Sequence, residues 1–88
     1  VLVLENIHTH AFEKLKHEGY TVTYHTSAMN EDELIEAIKD VSILCIRSKT
    51  NVTAKVLAHA ERLLAVGAFC IGTNQIDLST CLDKGIVV

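Results

Sequence analysis

The sequence predicts an α/β fold, a doubly wound parallel sheet of five strands in the flavodoxin-like order 2-1-3-4-5. Short apolar runs alternate with helix-forming stretches along the 88 residues, and strands that alternate with helices build a parallel sheet covered on both faces. The first and third apolar runs carry almost no polar residues, as central strands do. The second alternates polar and apolar residues, which is typical of an edge strand. We therefore expect the winding to reverse between strands 1 and 3.

The first half of the chain divides into two strands and two helices. Residues 1–4 form strand 1, and residues 8–18 form a helix that ends at Gly19, because a glycine just past a helix readily takes a left-handed conformation. Residues 20–25 form strand 2. Asn30 is the expected N-cap of the second helix, since its side chain can accept a backbone N–H and acidic residues follow it at the positive end of the helix dipole.

The second half continues the alternation up to the last residues. Residues 41–46 form strand 3, and Thr53 is the N-cap of a third helix. Residues 63–69 form strand 4, and Asp77 caps a fourth helix that ends at Gly85. A fifth strand begins directly after that helix, so we expect the sheet to be incomplete at its C-terminal end and the chain to be part of a longer protein.

Composition and charge bear on several classes of function. The formal net charge is −3, from 8 basic and 11 acidic residues, which gives no general reason to expect nucleic acid or a membrane as partner. No apolar run approaches the roughly 20 residues that cross a bilayer. The three cysteines, Cys45, Cys70 and Cys81, are odd in number and lack C-x-x-C spacing. We therefore expect buried reduced thiols and a cytoplasmic protein.

Polar side chains follow strand 3 abruptly. Arg47, Ser48, Lys49 and Thr50 place two cations and two hydroxyl groups at the carboxyl end of a central strand, where ligands of doubly wound sheets bind. An arginine can donate two hydrogen bonds to a carboxylate or a phosphate. The residues alone leave two interpretations open: an anion-binding site, or a solvated loop whose hydroxyl groups satisfy turn backbone.

Nucleotide-binding and metal-binding patterns are not supported. Gly67 and Gly72 have the spacing of a phosphate-binding P-loop, but Thr73 and Asn74 stand where that motif needs Lys followed by Ser or Thr. The chain also lacks a G-x-G-x-x-G dinucleotide motif. His8 and His10 are two residues apart and share no helical face, and His17, His25 and His59 have no carboxylate or cysteine at metal-ligand spacing. We therefore expect no cofactor-binding or metal-binding residue within the chain.

Two segments resemble a known enzyme family. They are I-R-S-K-T at residues 46–50 and A-V-G-A-F-C-I-G-T-N-Q-I-D-L at residues 65–78, supported by residues 4–6, 18–20 and 84–86. With these segments the whole chain resembles the amino-terminal part of the D-3-phosphoglycerate dehydrogenases of bacteria and fungi, a branch of the D-isomer-specific 2-hydroxyacid dehydrogenase family.

The resemblance implies NAD-dependent oxidation of D-3-phosphoglycerate to 3-phosphohydroxypyruvate, the first step of L-serine biosynthesis, by a homo-oligomeric parent enzyme. In that family the matching segment is the first part of the substrate-binding domain. A separate Rossmann-like domain, inserted after it, binds NAD and carries the catalytic Arg, Glu and His. By this resemblance, residues 1–88 contribute to substrate binding and have no catalytic residue of their own.

The resemblance also implies which residues face the small anionic substrate. They are Arg47, Ser48, Lys49, Thr50, Cys70, Ile71, Gly72, Thr73 and Asn74. The backbone of residues 70–72 would bind the substrate carboxylate, while the group that Arg47 binds stays open. Two features depart from relatives. Cys70 and Asn74 replace the first Gly and the Asp of a G-x-G-x-D loop, and Thr26 stands where some bacterial relatives carry Lys.

Two alternatives remain beside this interpretation. A sister dehydrogenase, such as a glyoxylate or hydroxypyruvate reductase, would prefer unphosphorylated acids. A non-catalytic binding or corepressor module on the same scaffold would lack a G-x-G-x-x-G motif and a downstream Glu/His pair in the residues that follow this segment.

Overall fold

Four parallel strands form the sheet of the computed structural model, which describes residues 1–7, 12–69, 72 and 74–88. The strands are β1 (Leu2–Val3), β2 (Thr23–Tyr24), β3 (Ile43–Ile46) and β4 (Ala65–Ala68), and they lie side by side in the order β2-β1-β3-β4. Every neighbouring pair is parallel. The predicted α/β class, the edge position of β2 and the reversal between β1 and β3 are confirmed.

The last residues of the chain lie beside β4. One parallel bridge joins Ala65 to Val87. The N–H of Val66 donates to the Val87 carbonyl at 2.8 Å, and the N–H of Val87 donates to the Leu64 carbonyl at 3.0 Å. This contact lies where the predicted fifth strand belongs in the order. A fifth strand of full length stays a prediction.

Each of the four strands is followed by a helix. The helices are α1 (Glu13–His17), α2 (Glu31–Ile38), α3 (Ala54–Ala58) and α4 (Leu78–Lys84). The predicted first helix covers residues 8–18, of which residues 8–11 lie outside the described part of the chain. Gly19 and Gly85 follow α1 and α4 with φ of +94° and +72°, so both take the left-handed conformation expected at a helix end.

The three expected N-caps are all present. The Asn30 side chain accepts the N–H of Glu33 at 2.8 Å, and the Glu33 carboxylate accepts the N–H of Asn30 at 3.3 Å, which is a capping box. Thr53 and Asp77 each accept the N–H of the residue three positions further on, at 3.3 and 3.1 Å. These caps fix where α2, α3 and α4 begin, at the same edge of the sheet where the strands end.

Alternate side chains of the strands divide the core into two layers. Leu44 and Ile46 of β3 belong to the larger layer, together with buried residues of α2, α3 and α4. Cys45, which lies between them, belongs to a smaller layer with Phe12 at the start of α1. Because successive residues of a strand point to opposite faces, helices cover both faces of the sheet.

No helix in the described residues is long and apolar enough to cross a membrane.

We expect the substitution Asn30→Ala to lower the free energy of unfolding by about 1 kcal/mol, because the N–H of Glu33 loses its acceptor. Chemical denaturation of the chain measures this change. Asn30→Asp keeps an acceptor oxygen and serves as the matched control. An equal loss of stability in both variants would contradict the capping role.

Candidate functional site

An open groove lies at the carboxyl edge of the sheet, with a volume of about 650 Å³. Its walls come from the loop after β3 and the loop after β4. The residues that line it are Arg47, Ser48 and Asn51 from the first loop, and Phe69, Gly72, Asn74 and Gln75 from the second. The structure thus brings together the two loops that the parallel strand order had placed side by side.

Hydrogen bonds join the two loops directly. Val52 and Ile76 form an isolated parallel bridge. Within it, the N–H of Val52 donates to the Gln75 carbonyl at 2.8 Å, and the N–H of Asp77 donates to the Val52 carbonyl at 2.9 Å. The Gln75 side-chain amide also donates to the Arg47 carbonyl at 2.9 Å. These bonds hold the two walls of the groove at a defined spacing.

A tight turn at Glu5 and Asn6 ends β1. Both residues have left-handed backbone, with φ of 61° and 55°, a conformation that costs a residue other than glycine about 1 kcal/mol or more. The loop after β2 holds this turn in place. The N–H of Glu5 donates to the Ser27 carbonyl at 3.2 Å, and the N–H of Asn6 donates to the His25 carbonyl at 3.1 Å.

The Glu5 carboxylate lies under the loop that follows β3. One of its oxygens accepts the N–H of Arg47 at 2.6 Å and the N–H of Thr50 at 3.3 Å, and the other accepts the N–H of Lys49 at 2.7 Å. The residue is only 8% exposed. A carboxylate at such a position needs protein donors in place of water. The loop backbone supplies three of them.

The same contacts keep Glu5 ionised. Burial alone raises the pKa of Glu5, but the backbone N–H groups of Arg47, Lys49 and Thr50 outweigh burial, and the pKa lies below its ordinary value of 4.5. The Thr50 hydroxyl acts in the same direction, although its geometry falls outside that of a hydrogen bond. At neutral pH a negative charge therefore lies beneath the residues that carry Arg47 and Lys49.

The four predicted residues after β3 do not share one environment. Arg47 and Ser48 are exposed and line the groove. Lys49 is exposed and borders two neighbouring cavities instead. Thr50 is fully buried, so the hydroxyl that the sequence placed toward a substrate lies inside the protein. Their roles in substrate binding stay predictions.

The predicted residues after β4 are described in part. Gly72 and Asn74 line the groove opposite Arg47. Cys70, Ile71 and Thr73 lie outside the described residues. The assignment of this loop to the substrate carboxylate therefore stays a prediction.

Phe69 forms an apolar wall of the groove. The ring centroids of Phe69 and Phe12 are 5.9 Å apart, and those of Phe12 and Tyr24 are 6.1 Å apart. Gly67 makes room for this row of rings. A Cβ at Gly67 would lie 3.2 Å from a Phe69 ring carbon and 3.6 Å from the Cys45 sulfur.

The Arg47 side chain is available to a ligand. It is exposed, and within the described ranges no carboxylate forms an ion pair with its guanidinium group. The backbone of Arg47 is fixed at two points, through its N–H to Glu5 and its carbonyl to Gln75. A guanidinium group on a fixed backbone can donate two hydrogen bonds to a carboxylate or a phosphate with defined geometry.

Sequence reasoning missed four described residues of the site, namely Glu5, Asn51, Phe69 and Gln75. Glu5 carried one usable signal. It is an acidic residue directly after a central strand, and therefore at the same edge as the basic loop after β3. Phe69 is one of only two phenylalanines in the chain and follows β4, at the edge where ligands of such sheets bind. Gln75 carried no signal of its own.

The described cysteines are buried free thiols, as predicted. Burial raises the pKa of the Cys45 thiol to about 11. Burial and the nearby Asp77 carboxylate raise the pKa of the Cys81 thiol. Both thiols are therefore protonated at neutral pH and poor metal ligands. In the part of the chain that the structure describes, no group of three or more His, Cys, Asp or Glu side chains could hold a metal ion.

The family model for the catalytic domain of the D-isomer specific 2-hydroxyacid dehydrogenases matches residues 1–88, the full length of the chain. The chain belongs to this family. Family membership agrees with the resemblance seen in the two loops that form the groove.

Two similar curated proteins are D-3-phosphoglycerate dehydrogenases. D-3-phosphoglycerate dehydrogenase 2 of Saccharomyces cerevisiae is 52% identical over 88 residues, which cover 100% of the chain and 19% of that enzyme. D-3-phosphoglycerate dehydrogenase of Escherichia coli is 42% identical over 88 residues, which cover 99% of the chain and 22% of that enzyme. The chain thus spans about a fifth of the length of these curated relatives.

Solved structures share the fold. A crystallised protein of Pyrococcus horikoshii matches with a TM-score of 0.86 and 29% identity, over 98% of the chain and 26% of that protein. NAD+-bound 3-phosphoglycerate dehydrogenase of Entamoeba histolytica matches with a TM-score of 0.82 and 22% identity, over 98% of the chain and 31% of that enzyme. In both cases the chain corresponds to one part of a longer protein.

We expect Gly67→Val to lower the free energy of unfolding by about 1–3 kcal/mol, because the new side chain must displace the Phe69 ring or the Cys45 sulfur. Gly72→Val is the matched control, since a Cβ there meets no atom of the described residues within 4 Å. Chemical denaturation of the two variants measures the difference. Equal stability of both would show that the rings do not pack as described.

Proposed function

We propose that this chain is the first part of the substrate-binding domain of an NAD-dependent D-3-phosphoglycerate dehydrogenase. The reaction would be oxidation of the substrate hydroxyl to give 3-phosphohydroxypyruvate, the first step of L-serine biosynthesis. The observation that carries the proposal is the Arg47 guanidinium group, which is exposed in a groove and has no ion-pair partner among the described residues. The names of the relatives described above support D-3-phosphoglycerate as the substrate.

The groove suits a small acid with two anionic groups. Arg47 and Ser48 border both the main groove and a neighbouring cavity of about 530 Å³ that Lys49 also lines. A phosphate and a carboxylate at opposite ends of a three-carbon acid could therefore contact two different sets of donors. We assign Arg47, Ser48 and the loop after β4 to one group, and Lys49 with Thr26 to the other. Which group is which stays open.

The described residues do not fit a dinucleotide. In sheets that bind NAD, strand 1 ends in a glycine turn whose free N–H groups reach the pyrophosphate. Here β1 ends at Glu5 and Asn6, whose N–H groups donate to the carbonyls of Ser27 and His25. We therefore assign NAD binding and hydride transfer to a part of a longer protein that this chain does not include.

We further propose that this longer protein is a cytoplasmic homo-oligomer. The buried free thiols of Cys45 and Cys81 support a reducing compartment. Leu64, Leu82 and Val87 are 66%, 80% and 69% exposed, and contact with further protein would bury these apolar side chains.

We expect Arg47→Ala in the full-length protein to raise the Michaelis constant for D-3-phosphoglycerate by about 10- to 100-fold. The loss corresponds to about 1.5–3 kcal/mol, the usual contribution of hydrogen bonds to a charged group. Steady-state kinetics measure the change. Arg62→Ala is the control, because Arg62 is also an exposed arginine but lies before β4, at the opposite edge of the sheet. An unchanged constant in Arg47→Ala would contradict the assignment of Arg47.

A substrate panel on the same protein tests the reaction itself. D-3-phosphoglycerate should be oxidised with a higher kcat/KM than unphosphorylated 2-hydroxy acids. The reverse preference would identify a sister dehydrogenase. Absence of turnover with every acid would identify a non-catalytic module.

We expect the isolated 88-residue chain to reduce no NAD with D-3-phosphoglycerate, because its described residues offer no dinucleotide site. The absorbance of NADH measures the reaction, and the full-length protein at equal molar concentration is the positive control. Turnover by the purified chain alone would refute the assignment of NAD binding and hydride transfer to another part of a longer protein.

A further inference from the structure

The backbone of residues 47–50 forms a binding site for an anion, and the protein itself fills it. The N–H groups of Arg47, Lys49 and Thr50 converge on one carboxylate at 2.6 to 3.3 Å. Converging backbone N–H groups of this kind bind phosphate or carboxylate ligands in other folds. Here the bound anion is the side chain of Glu5. A substrate can therefore bind the side chains of this loop, but not these three N–H groups, which already donate to Glu5.

Holding Glu5 in this place is costly. Its backbone and that of Asn6 are left-handed, and its charge is buried. Features of this kind persist only where surrounding contacts compensate for them. The compensation comes from five backbone hydrogen bonds, two made by the turn to the loop after β2 and three accepted by the carboxylate from the loop after β3.

We propose that Glu5 is a positioning residue for substrate binding: its carboxylate fixes the backbone of residues 47–50 so that Arg47 and Ser48 face the groove. The choice of D-3-phosphoglycerate as the substrate rests on the proposed function. The bonds between Glu5 and the loop after β3 do not depend on it. Glu5 does not contact the substrate in this role, because both of its oxygens accept bonds from the loop.

A negative charge, and not shape alone, is required at this position. Two oxygens accept three donors. A glutamine side chain has the same shape but only one acceptor oxygen, and its NH₂ group would face an N–H group of the loop. Glu5→Gln therefore removes the charge and at least one hydrogen bond while keeping the volume of the side chain.

Kinetics of the full-length protein separate positioning from stability. We expect Glu5→Gln to raise the Michaelis constant for D-3-phosphoglycerate about 10-fold, the effect of losing roughly one charged hydrogen bond, and to change kcat less than about threefold. A role confined to stability would reduce the amount of active enzyme, which lowers the apparent kcat and leaves the Michaelis constant unchanged. That second pattern would overturn the proposal.

The matched control is Glu61→Gln, which makes the same charge change at an exposed residue before β4, on the opposite edge of the sheet. It should leave both constants unchanged. If the wild-type protein oxidises a different 2-hydroxy acid, that result by itself contradicts the proposed function and leaves the role of Glu5 to be tested. The Michaelis constant for that acid then decides the role of Glu5 in the same way.

Amide hydrogen exchange tests the hold on the loop without any substrate. In Glu5→Gln the amides of Arg47, Lys49 and Thr50 should exchange at least about 10-fold faster, since their acceptor is weakened. The amides of Leu44 and Val66, in the centres of β3 and β4, should keep their rates. Unchanged exchange at the three loop amides would overturn the proposal even if kinetics were altered.

Titration of the wild-type protein tests the contact between the Glu5 carboxylate and the loop without a mutation. The pKa of Glu5 is lowered by folding, so the ionised carboxylate stabilises the folded loop above pH 4.5, and this stabilisation is lost as the pH falls through the folded pKa. The charged groups that face Glu5 are Arg47 and Lys49, and the loop after β2 contributes Thr26 and Ser27, which do not titrate. The amide chemical shifts of Arg47 and Lys49 should titrate with a midpoint below 4.5.

Glu5→Asp serves where Glu5→Gln does not fold. The aspartate keeps the charge but is one methylene shorter, so it cannot reach all three donors at once. We expect an intermediate Michaelis constant and faster exchange at one or two of the loop amides. A value equal to that of wild type, with unchanged exchange, would overturn the proposal.

Discussion

Three backbone hydrogen bonds to one buried carboxylate hold the carboxyl edge of this sheet together. The strands β2, β1 and β3 are neighbours, and Glu5 joins the ends of all three: its backbone bonds to the loop after β2, and its side chain to the loop after β3. Elsewhere the sheet depends on apolar packing in its two layers. At this edge the N–H of Thr50 is buried and those of Arg47 and Lys49 are partly buried, and a buried N–H left without a partner costs about 1–3 kcal/mol. The carboxylate removes that cost and orders the loop.

The remaining loops of the edge are joined by similar means. The bridge between Val52 and Ile76 links the loops after β3 and β4, and α4 begins immediately after it. On the outer side, the Thr53 hydroxyl caps α3 and also donates to the Glu31 carboxylate at 2.6 Å, while Lys55 lies 3.7 Å from the same carboxylate. The start of α2 is thereby joined to the start of α3. The groove consequently lies on a frame in which each wall is bonded to its neighbours.

Much of the frame could be predicted from sequence, because its signals are local. The caps at Asn30 and Thr53 depend on residues three positions away, and the alternation in residues 20–25 marks an edge strand without knowledge of its neighbour. Strand limits were predicted less well: β2 covers only Thr23–Tyr24, since pairing ends where the short β1 ends. The position of Glu5 after a central strand predicts the edge at which it lies, but not its partners, because these lie more than 40 residues away and are backbone groups without a sequence signature.

The turn at Glu5 and Asn6 sets two energetic demands against each other. Both residues have left-handed backbone, which glycine adopts without strain, so local energetics alone favour glycine at each position. At Asn6 only the backbone N–H is used, and glycine there would relieve strain and remove no described hydrogen bond. At Glu5 the same change would remove the carboxylate on which the neighbouring loop is built. The turn should therefore tolerate glycine at Asn6 but not at Glu5, although the two positions are adjacent. At Glu5 the contact with the distant loop outweighs the local backbone preference, which is a case of local frustration.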